Sequence, residues 1–484
     1  MMGPKVPPGH VRAIVERPYD EALAAATAEL VNGRDPSRSM GRYISSGGKL
    51  PDGVELDASF GAIPIGEGAK GDEVLDLRAA FREPQSSRRF LVSGFVKAAA
   101  DRVPARFVEN DEEYPIYSNP MVGGLGIPPP CLPTCGSSQH VGATDDVREK
   151  LGFGVLQSSG LNGKGVAIAV VDSGIYEPRL RWPLGEVMRP PATFYLDKGN
   201  SWRPWDLVTG PGGHRVGHGT MCAYDALIAA PKATLLDLPM LLARPVADHH
   251  SKSMVDAALL AYFHLAVLWW VKRPFAGLVV SNSWGLFHPC LEDFPPEHPY
   301  RFSDNPQHAL RKYLIRPLAA SGVDIVFCGN NCGNGKNCAG NCASGACLSK
   351  TDRMIMGAST YPEVLTVGGC DTDDEVVGYS SRGPSIANMF QEKPDLVAYT
   401  HFLGSKVLGR SVPDTGVSAA CPVAAGCVAA LRTKVSHTAV TPKRLFDTLK
   451  ATARRRGAPG GWNPDAGYGI IDPVAAGRAL GAIQ

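Results

Sequence analysis

The sequence lacks a dense run of lysine and arginine, and the formal net charge of its 484 residues is only +2. Proteins that bind nucleic acid or an anionic membrane through charge carry a basic patch, so we expect neither partner. Residues 1–18 also lack the apolar run of a secretory signal, because charges and prolines interrupt them. We therefore predict a cytoplasmic protein; export by a non-standard route, or a sequence without its natural N-terminus, are the alternatives.

Long apolar runs are scarce as well. The longest, residues 257–271, contains His264 and is too short to cross a bilayer, so we predict a buried helix and no membrane span. Twelve cysteines without a secretory signal favour free thiols or a metal site over a disulfide framework. The sequence shows no carboxylate cluster that would indicate a calcium site.

The composition changes along the chain in a way that predicts its organisation. We predict a partly helical or disordered extension at 1–50 and a small α+β unit at 51–122, which contains the strand pattern RFLVSGFV at 89–96. Residues 123–144 are rich in proline and glycine and predict a linker. From 145 to 484, apolar strands alternate with helices, which is typical of an α/β domain with a mostly parallel sheet flanked by helices.

Three short motifs in this last region supply a carboxylate, an imidazole and a hydroxyl group. Asp172 directly follows the apolar strand at 166–171, at the sheet edge where sites form in α/β proteins. His218 stands between two glycines, and Ser418 precedes an apolar helix whose N-terminus favours negative charge. We expect the Ser418 side chain to be exposed beside free backbone N–H groups. Taken singly, each motif is also typical of a turn, a core residue or a helix cap.

The ordered set Asp172, His218, Ser418 resembles the subtilisin-like serine peptidases, the subtilases, whose catalytic residues follow one another in that order. The motifs that carry the resemblance are VDSG (171–174), GHGT (217–220) and GVSAACP (416–422), and it extends over roughly residues 145–480. It implies a three-layer subtilisin-like fold and an endopeptidase that hydrolyses polypeptides through an acyl-enzyme. No cofactor is required for that chemistry, although calcium is common in the family.

The resemblance also implies further site residues. An oxyanion-hole amide is expected at Asn331, within CGNNCG (328–333), and Asn330 is the competing candidate because it replaces a usual glycine. The family's substrate-facing strand corresponds to Ser283, Trp284 and Gly285, and residues 241–251 are a candidate edge for pairing with a peptide.

Four positions depart from the usual family pattern: Met221, Val417, Ala419 and Val423. Since none of the four carries a proton in the mechanism, we still expect an active enzyme. The competing hypothesis is a catalytically silent subtilase-like scaffold that binds peptides. The presence of Asp172, His218, Ser418 and Asn331 together argues against it.

Five cysteines crowd into residues 328–347, just after the predicted oxyanion residue. Their spacing is not that of paired CxxC zinc motifs, so Cys332, Cys338, Cys342 and Cys347 are only weak candidate zinc ligands. The alternative is a loop of reduced or disulfide-paired thiols that stiffens an insertion.

The α+β unit that precedes the linker resembles the inhibitory propeptides of subtilases. It implies that the protein could cleave its own linker and that the prosegment would assist folding and then block the cleft. The alternative is an N-terminal domain that stays attached and binds a partner.

Overall fold

The fold was analysed on a computed structural model of the chain. The structure describes residues 5–46, 50, 53–67, 73–98, 102–109, 111–124, 140–181, 194–215, 217–243, 252–286, 288–333, 353–454 and 461–484. Two units follow one another: an N-terminal antiparallel sheet with short helices, and a larger domain built on a parallel sheet.

The N-terminal unit contains six strands in one sheet, in the order β2-β4-β1-β6-β5 with β3 beside β4. The strands are β1 (His10–Pro18), β2 (Val54–Leu56), β3 (Ile63–Pro64), β4 (Arg89–Lys97), β5 (Arg106–Glu109) and β6 (Glu112–Ser118). The helices are α1 (Glu21–Val31), α2 (Ser37–Ser45), α3 (Arg78–Arg82) and a 3₁₀ turn at Pro84–Ser86. Asp20 caps α1 by accepting from the Ala22 N–H.

The first strand belongs to the same sheet as the strands that follow residue 50. β1 pairs with β4 over its whole length, from His10 opposite Lys97 to Pro18 opposite Arg89. The predicted division at residue 50 therefore falls within this sheet. Most of the predicted linker, residues 125–139, lies outside the described residues.

The larger domain is built on seven parallel strands in the order β10-β11-β9-β13-β15-β16-β17. They are β9 (Val166–Val171), β10 (Tyr195–Leu196), β11 (Thr234–Leu238), β13 (Gly277–Asn282), β15 (Asp324–Cys328), β16 (Leu365–Cys370) and β17 (Leu396–Tyr399). Short strands complete two smaller sheets: β7 (Met121–Gly124), β8 (Gly142–Ala143), β12 (Lys252–Met254), β14 (Trp284–Gly285) and β18 (Phe402–Leu403).

Helices cover both faces of the parallel sheet. Alternate residues of β9 point into two different cores, Ala167 and Ala169 into one and Val166 and Ile168 into the other. A continuous apolar strand is what burial on both faces requires, so the predicted α/β fold with a mostly parallel sheet flanked by helices is confirmed.

The helices of this domain are α4 (Thr144–Lys150), α5 (Phe153–Ser158), α6 (Glu177–Arg181), α7 (His218–Ala226), α8 (Val255–Ala266), α9 (Arg316–Ala320), α10 (Val417–Arg432), α11 (Pro442–Ala451) and α12 (Pro473–Ala479). Wider π turns at Val267–Lys272 and Arg311–Ile315 and 3₁₀ turns at Pro289–Leu291 and Gly357–Thr360 complete the set.

Two helices are almost entirely enclosed. Every residue of α10 is buried, as its apolar sequence predicts, and Pro422 lies in the second turn. The helix Val255–Lys272 is long and apolar enough to cross a membrane by length and composition, yet 83% of it is buried within the protein. Its burial is that of a core helix, as predicted for this run.

Candidate active site

Asp172 and His218 meet at the carboxyl ends of the central strands. Asp172 follows β9, and His218 begins α7. The Oδ1 atom of Asp172 lies 2.7 Å from Nδ1 of His218. Asp172 is held in turn by the backbone, since its Oδ1 also accepts from the Ser173 N–H at 2.6 Å. The carboxylate therefore fixes one ring nitrogen of the imidazole and leaves the other directed away from it.

Two glycines allow this approach. A Cβ atom added to Gly219 would lie 2.4 Å from the carbonyl oxygen of Gly174, so any side chain there would push the two motifs apart. The Gly219 N–H donates to Ser173 Oγ at 3.0 Å, which locks the start of α7 onto the turn after β9. The small residues in both motifs thus serve backbone contact.

Ser418 lies in the first turn of α10, one residue after the helix begins at Val417. Its backbone N–H is one of the four at a helix N-terminus without an intrahelical acceptor. The expectation that the Ser418 side chain is exposed is wrong: the residue is fully buried. Neighbouring segments pack round its backbone, because its carbonyl oxygen accepts from Ser283 Oγ at 2.9 Å and from Cys222 Sγ at 3.4 Å.

Two polar atoms of this group have no hydrogen-bond partner in the described part of the chain: His218 Nε2 and Ser418 Oγ. Burial lowers the pKa of His218, but the negative charge of Asp172 and its hydrogen bond outweigh burial, so the pKa ends above the usual 6.5. The imidazole is therefore a stronger base than an ordinary histidine.

Asn331 adjoins the start of α10. Its Oδ1 atom accepts from the Val417 N–H at 2.8 Å, which sets the amide plane and leaves Nδ2 on the other side. Asn330 adopts φ of 73°, a backbone conformation that asparagine tolerates, and its Nδ2 donates to the carbonyl oxygens of Leu286 and Met354. Because the Asn330 amide is used in the turn, the geometry favours Asn331 as the donor beside Ser418.

A short strand pairs with the segment that directly follows Ser283. β7 lies between β12 and β14 and pairs antiparallel with both. Gly123 lies opposite Lys252 on one side and Gly285 on the other, and Gly124 lies opposite Trp284. Two of the three predicted substrate-facing residues thus contact an extended segment of the protein's own chain through their backbone. The indole of Trp284 instead packs in the core against Phe327.

The family model for the subtilases matches residues 163–469 of this chain. The chain belongs to the subtilase family. The match spans the parallel sheet and all three motifs, so the resemblance drawn from those motifs is confirmed, together with the class of subtilisin-like serine peptidase that it implies.

Curated proteins match this subtilase over shorter segments. The human membrane-bound transcription factor site-1 protease is 34% identical over 128 residues, which is 25% of this chain and 12% of that protein. Mycosin-4 of Mycobacterium tuberculosis is 26% identical over 172 residues, 35% of this chain and 37% of that one. The matched segments thus span well under half of either relative. Among solved structures, MycP1 from the ESX-1 type VII secretion system matches with a TM-score of 0.44 and 18% identity, covering 74% of this chain and 90% of that one.

Cys222 is a further residue of this site, and the three sequence motifs did not indicate it. Its thiol donates to Asp172 Oδ2 at 3.8 Å as well as to the Ser418 carbonyl oxygen. The sequence does contain an indication of this position, because Cys222 lies four residues after His218 and therefore on the same face of the helix. With Asp172 and His218 it forms a group whose ligand atoms lie within 4.8 Å of one another. Burial, followed by the charge of Asp172, raises the pKa of the thiol well above 9.0, so it stays a thiol and a poor metal ligand.

The predicted cysteine cluster is described only at its start. Cys328 is a free, buried thiol at the end of β15, and Cys332 is disulfide-bonded, so in this state its sulfur cannot ligate zinc. Cys338, Cys342 and Cys347 lie outside the described residues, as does most of the predicted peptide-pairing edge at 241–251. Within the described chain the edge that pairs with β7 is β12, which begins at Lys252.

Proposed function

We propose that this subtilase is an endopeptidase that cleaves polypeptides with Asp172, His218 and Ser418. The observation that carries the proposal is the 2.7 Å contact between Asp172 and His218, combined with a helix N-terminus that presents Ser418. A peptide-binding scaffold gains nothing from a histidine of raised pKa, or from a buried Ser418 hydroxyl group that has no partner in the described part of the chain.

In the proposed reaction, Ser418 Oγ attacks the peptide carbonyl carbon while His218 Nε2 accepts its proton. The tetrahedral intermediate then collapses as His218 returns the proton to the leaving amine, which leaves an acyl-enzyme. Water, deprotonated by His218, hydrolyses the ester in the second half. Asp172 stabilises the imidazolium in both halves, and no step requires a metal ion or other cofactor. Calcium stays an expectation of the family resemblance alone, and the cysteine cluster is only a weak candidate for zinc.

The oxyanion of the intermediate would receive hydrogen bonds from the Ser418 N–H and the Asn331 side-chain amide. The position of Asn331 against the Val417 N–H supports this assignment, since it fixes the amide close to the helix N-terminus. In subtilisin itself, loss of the corresponding amide donor costs about 2.7–4 kcal/mol of transition-state stabilisation.

The position of β7 supports self-processing. An extended substrate binds to a protease cleft by adding a strand to exposed edges, and β7 makes this type of contact with β12 and β14. The chain continues from Gly124 into residues 125–139, the proline- and glycine-rich stretch. We propose that a bond in this stretch is the first substrate and that the N-terminal unit acts as a prosegment.

The test is the intact mass of the wild-type protein and of Ser418→Ala, each with and without a fluorophosphonate probe. We expect the wild type to split into two fragments at a bond within 125–139 and to take up one probe molecule, and Ser418→Ala to do neither.

Ser385→Ala is the matched control, because Ser385 is also buried with an Oγ that has no partner in the described part of the chain. It should behave as the wild type. A folded wild type that stays whole and unlabelled would instead support the peptide-binding scaffold, whose cleft β7 already fills.

A further inference from the structure

A pair of buried carboxyl groups joins the helix of His218 to the segment that leads into Ser418. Asp225 lies on α7, two turns after His218, and Asp414 lies four residues before Ser418. Both residues are fully buried. Their side chains are hydrogen-bonded to each other, although neither belongs to the three catalytic motifs.

The contact requires a proton. Among the described residues, no N–H or O–H group donates to either oxygen of Asp225. Asp414, in contrast, accepts two hydrogen bonds from Ser405. Its Oδ2 accepts from the Ser405 N–H at 2.5 Å, and its Oδ1 accepts from Ser405 Oγ at 2.6 Å. Two buried carboxylates in contact would repel each other, so one must be the acid. Asp225 is the protonated residue, because no other group donates to it among the described residues, whereas Ser405 stabilises the charged form of Asp414. The Asp225 O–H then donates to the Asp414 carboxylate.

Burial and the neighbouring charge both favour the protonated form of the pair. Burial, and then the charge of Asp414, raises the pKa of Asp225 well above 3.8, and burial raises the pKa of Asp414 to about 6. Since the two titrate as a pair, both directions describe one shared proton that the folded protein binds more tightly than the unfolded chain does. The other titratable groups that face the pair are Cys222 and Tyr224 on α7, together with Arg148 on α4, which acts on Tyr224.

Asp414 is connected to Ser418 by a short stretch of backbone that hydrogen bonds hold in place. The backbone N–H of Asp414 donates to Phe402 and its carbonyl oxygen accepts from His401, so the residue is fixed to a bridge beside β18. Two residues later, the Gly416 carbonyl oxygen accepts from Thr400 Oγ1 at 2.7 Å. A displacement of Asp414 therefore moves the start of α10 and Ser418 with it.

We propose that Asp225 and Asp414 are positioning residues for the peptidase reaction, which hold the helix of His218 against the segment of Ser418 through one shared proton. The proposal rests on the proposed function for its catalytic consequence. Neither side chain touches the substrate or the reacting atoms; they act through the elements that carry His218 and Ser418.

The pH dependence has a definite sign. The folded protein binds this proton more tightly than the unfolded chain, so the stabilisation is fully present at acid pH and is lost as pH rises through the raised pKa. Above that point two buried carboxylates face each other, and α7 separates from the segment before α10. Catalysis should then fall on the alkaline side of the pH profile.

The first experiment compares the pH profiles of kcat and KM for the processed wild type, Asp225→Asn and Asp225→Ala. The asparagine amide donates to Asp414 at every pH, so Asp225→Asn should lose the alkaline fall in kcat. Asp225→Ala leaves Asp414 without its donor, and kcat should fall on the order of a hundredfold, as when a catalytic group is slightly misplaced, with KM little changed. Asp371→Asn is the control, because Asp371 is also buried and its Oδ1 accepts from the backbone N–H groups of Asp373 and Glu375. It should keep the wild-type profile. If folded Asp225→Asn loses kcat at alkaline pH as the wild type does, the proposal is overturned.

A second experiment needs no peptidase activity. Infrared difference spectroscopy of the wild type at neutral pH should show the C=O band of a buried carboxylic acid, which Asp225→Asn should remove and Asp371→Asn should keep. If the band is absent from the wild type, the shared proton does not exist and the inference fails, even for an active enzyme. If the band is present in a protein that does not react with the fluorophosphonate, the proposed function fails and the buried pair remains.

Discussion

Tyr379 is a single side chain that connects the two parts of the oxyanion region. Its phenolic oxygen accepts from the Gly416 N–H at 3.2 Å, two residues before Ser418, and from Thr415 Oγ1 at 3.2 Å. Its backbone carbonyl accepts from the Gly333 N–H, two residues after Asn331. One residue therefore sets the distance between the amide and the nucleophile.

Tyr379→Phe should lower kcat with little change in KM, because it leaves the buried Gly416 N–H without its acceptor. An unsatisfied buried N–H costs about 1–3 kcal/mol, which corresponds to a loss of roughly tenfold or more in kcat if the cost falls on the transition state. Tyr361→Phe is the matched control, since Tyr361 is also fully buried and its hydroxyl group has no partner in the described part of the chain. Equal effects of the two substitutions on kcat would contradict the role of Tyr379.

His218 predicts the acid side of the activity profile. Only the neutral imidazole accepts the Ser418 proton, and Asp172 raises the pKa of His218 above 6.5 against the opposing effect of burial. Activity should therefore fall as pH drops through that raised pKa. In Asp172→Asn the raising effect is lost, so the acid limb should move to lower pH while kcat drops by about 10⁴-fold, as in another serine protease triad. Asp373→Asn, which removes an exposed carboxylate, should move neither quantity.

At the scale of elements, the packing of α10 on α7 brings the Ser418 and His218 helices together. A Cβ atom added to Gly426 would lie 2.3 Å from the Ala226 carbonyl oxygen, so the helices contact each other backbone to backbone at this point. The approach explains why α10 is built of alanine, glycine and valine. Larger residues would move Ser418 away from the imidazole.

Gly426→Ala should lower the free energy of unfolding by about 1–3 kcal/mol through overpacking, and reduce kcat because the two catalytic helices are forced apart. Gly154→Ala is the control within a helix, because nothing lies within 4 Å of a Cβ atom added there. That change should instead stabilise the protein by roughly 0.5–1 kcal/mol. Denaturant unfolding of both variants measures the contrast, and a stability equal to the wild type in Gly426→Ala would contradict the backbone contact.

The elements that sequence could predict are those with local signals. The strand at 166–171 and the buried helix after Ser418 follow from apolar runs, and the order of the motifs indicates the family. The pairing of β7 with β12 and β14 has no such signal, because its partners lie more than a hundred residues further along the chain. The same holds for Asp225 and Asp414, whose contact depends on tertiary packing.

At the scale of the whole molecule, the two units share one hydrophobic core. Ile14, Phe60 and Leu91 of the N-terminal unit belong to the same buried cluster as Leu259 and Trp270 of the long core helix. The sequence predicted a boundary at residue 50, whereas the antiparallel pairing of β1 with β4 spans it. The extent of the N-terminal unit therefore depends on strand pairing between distant segments, which amino-acid composition does not reveal.

Glu16 is the polar centre of the interface between the units. It is buried, accepts from Tyr117 of the N-terminal unit at 2.6 Å and from Tyr313 of the larger domain at 2.5 Å, and pairs with Arg89 at 3.2 Å. A released N-terminal unit would expose this carboxylate's partners and the apolar core together. We therefore expect that the unit stays bound after the chain is cut within 125–139.

Size-exclusion chromatography of the cut protein should show both fragments eluting together at the mass of the whole chain. Glu16→Ala should weaken their association, because the buried Tyr313 hydroxyl group of the larger domain loses this acceptor across the interface, which costs about 1–3 kcal/mol, and part of the N-terminal fragment should then elute separately. Glu113→Ala is the control: its pair with Arg106 is exposed on both sides, so its loss should cost less than about 1 kcal/mol and leave co-elution intact. Complete separation of the wild-type fragments would mean that the shared core does not hold the units together, and that the N-terminal unit is released like a transient inhibitor.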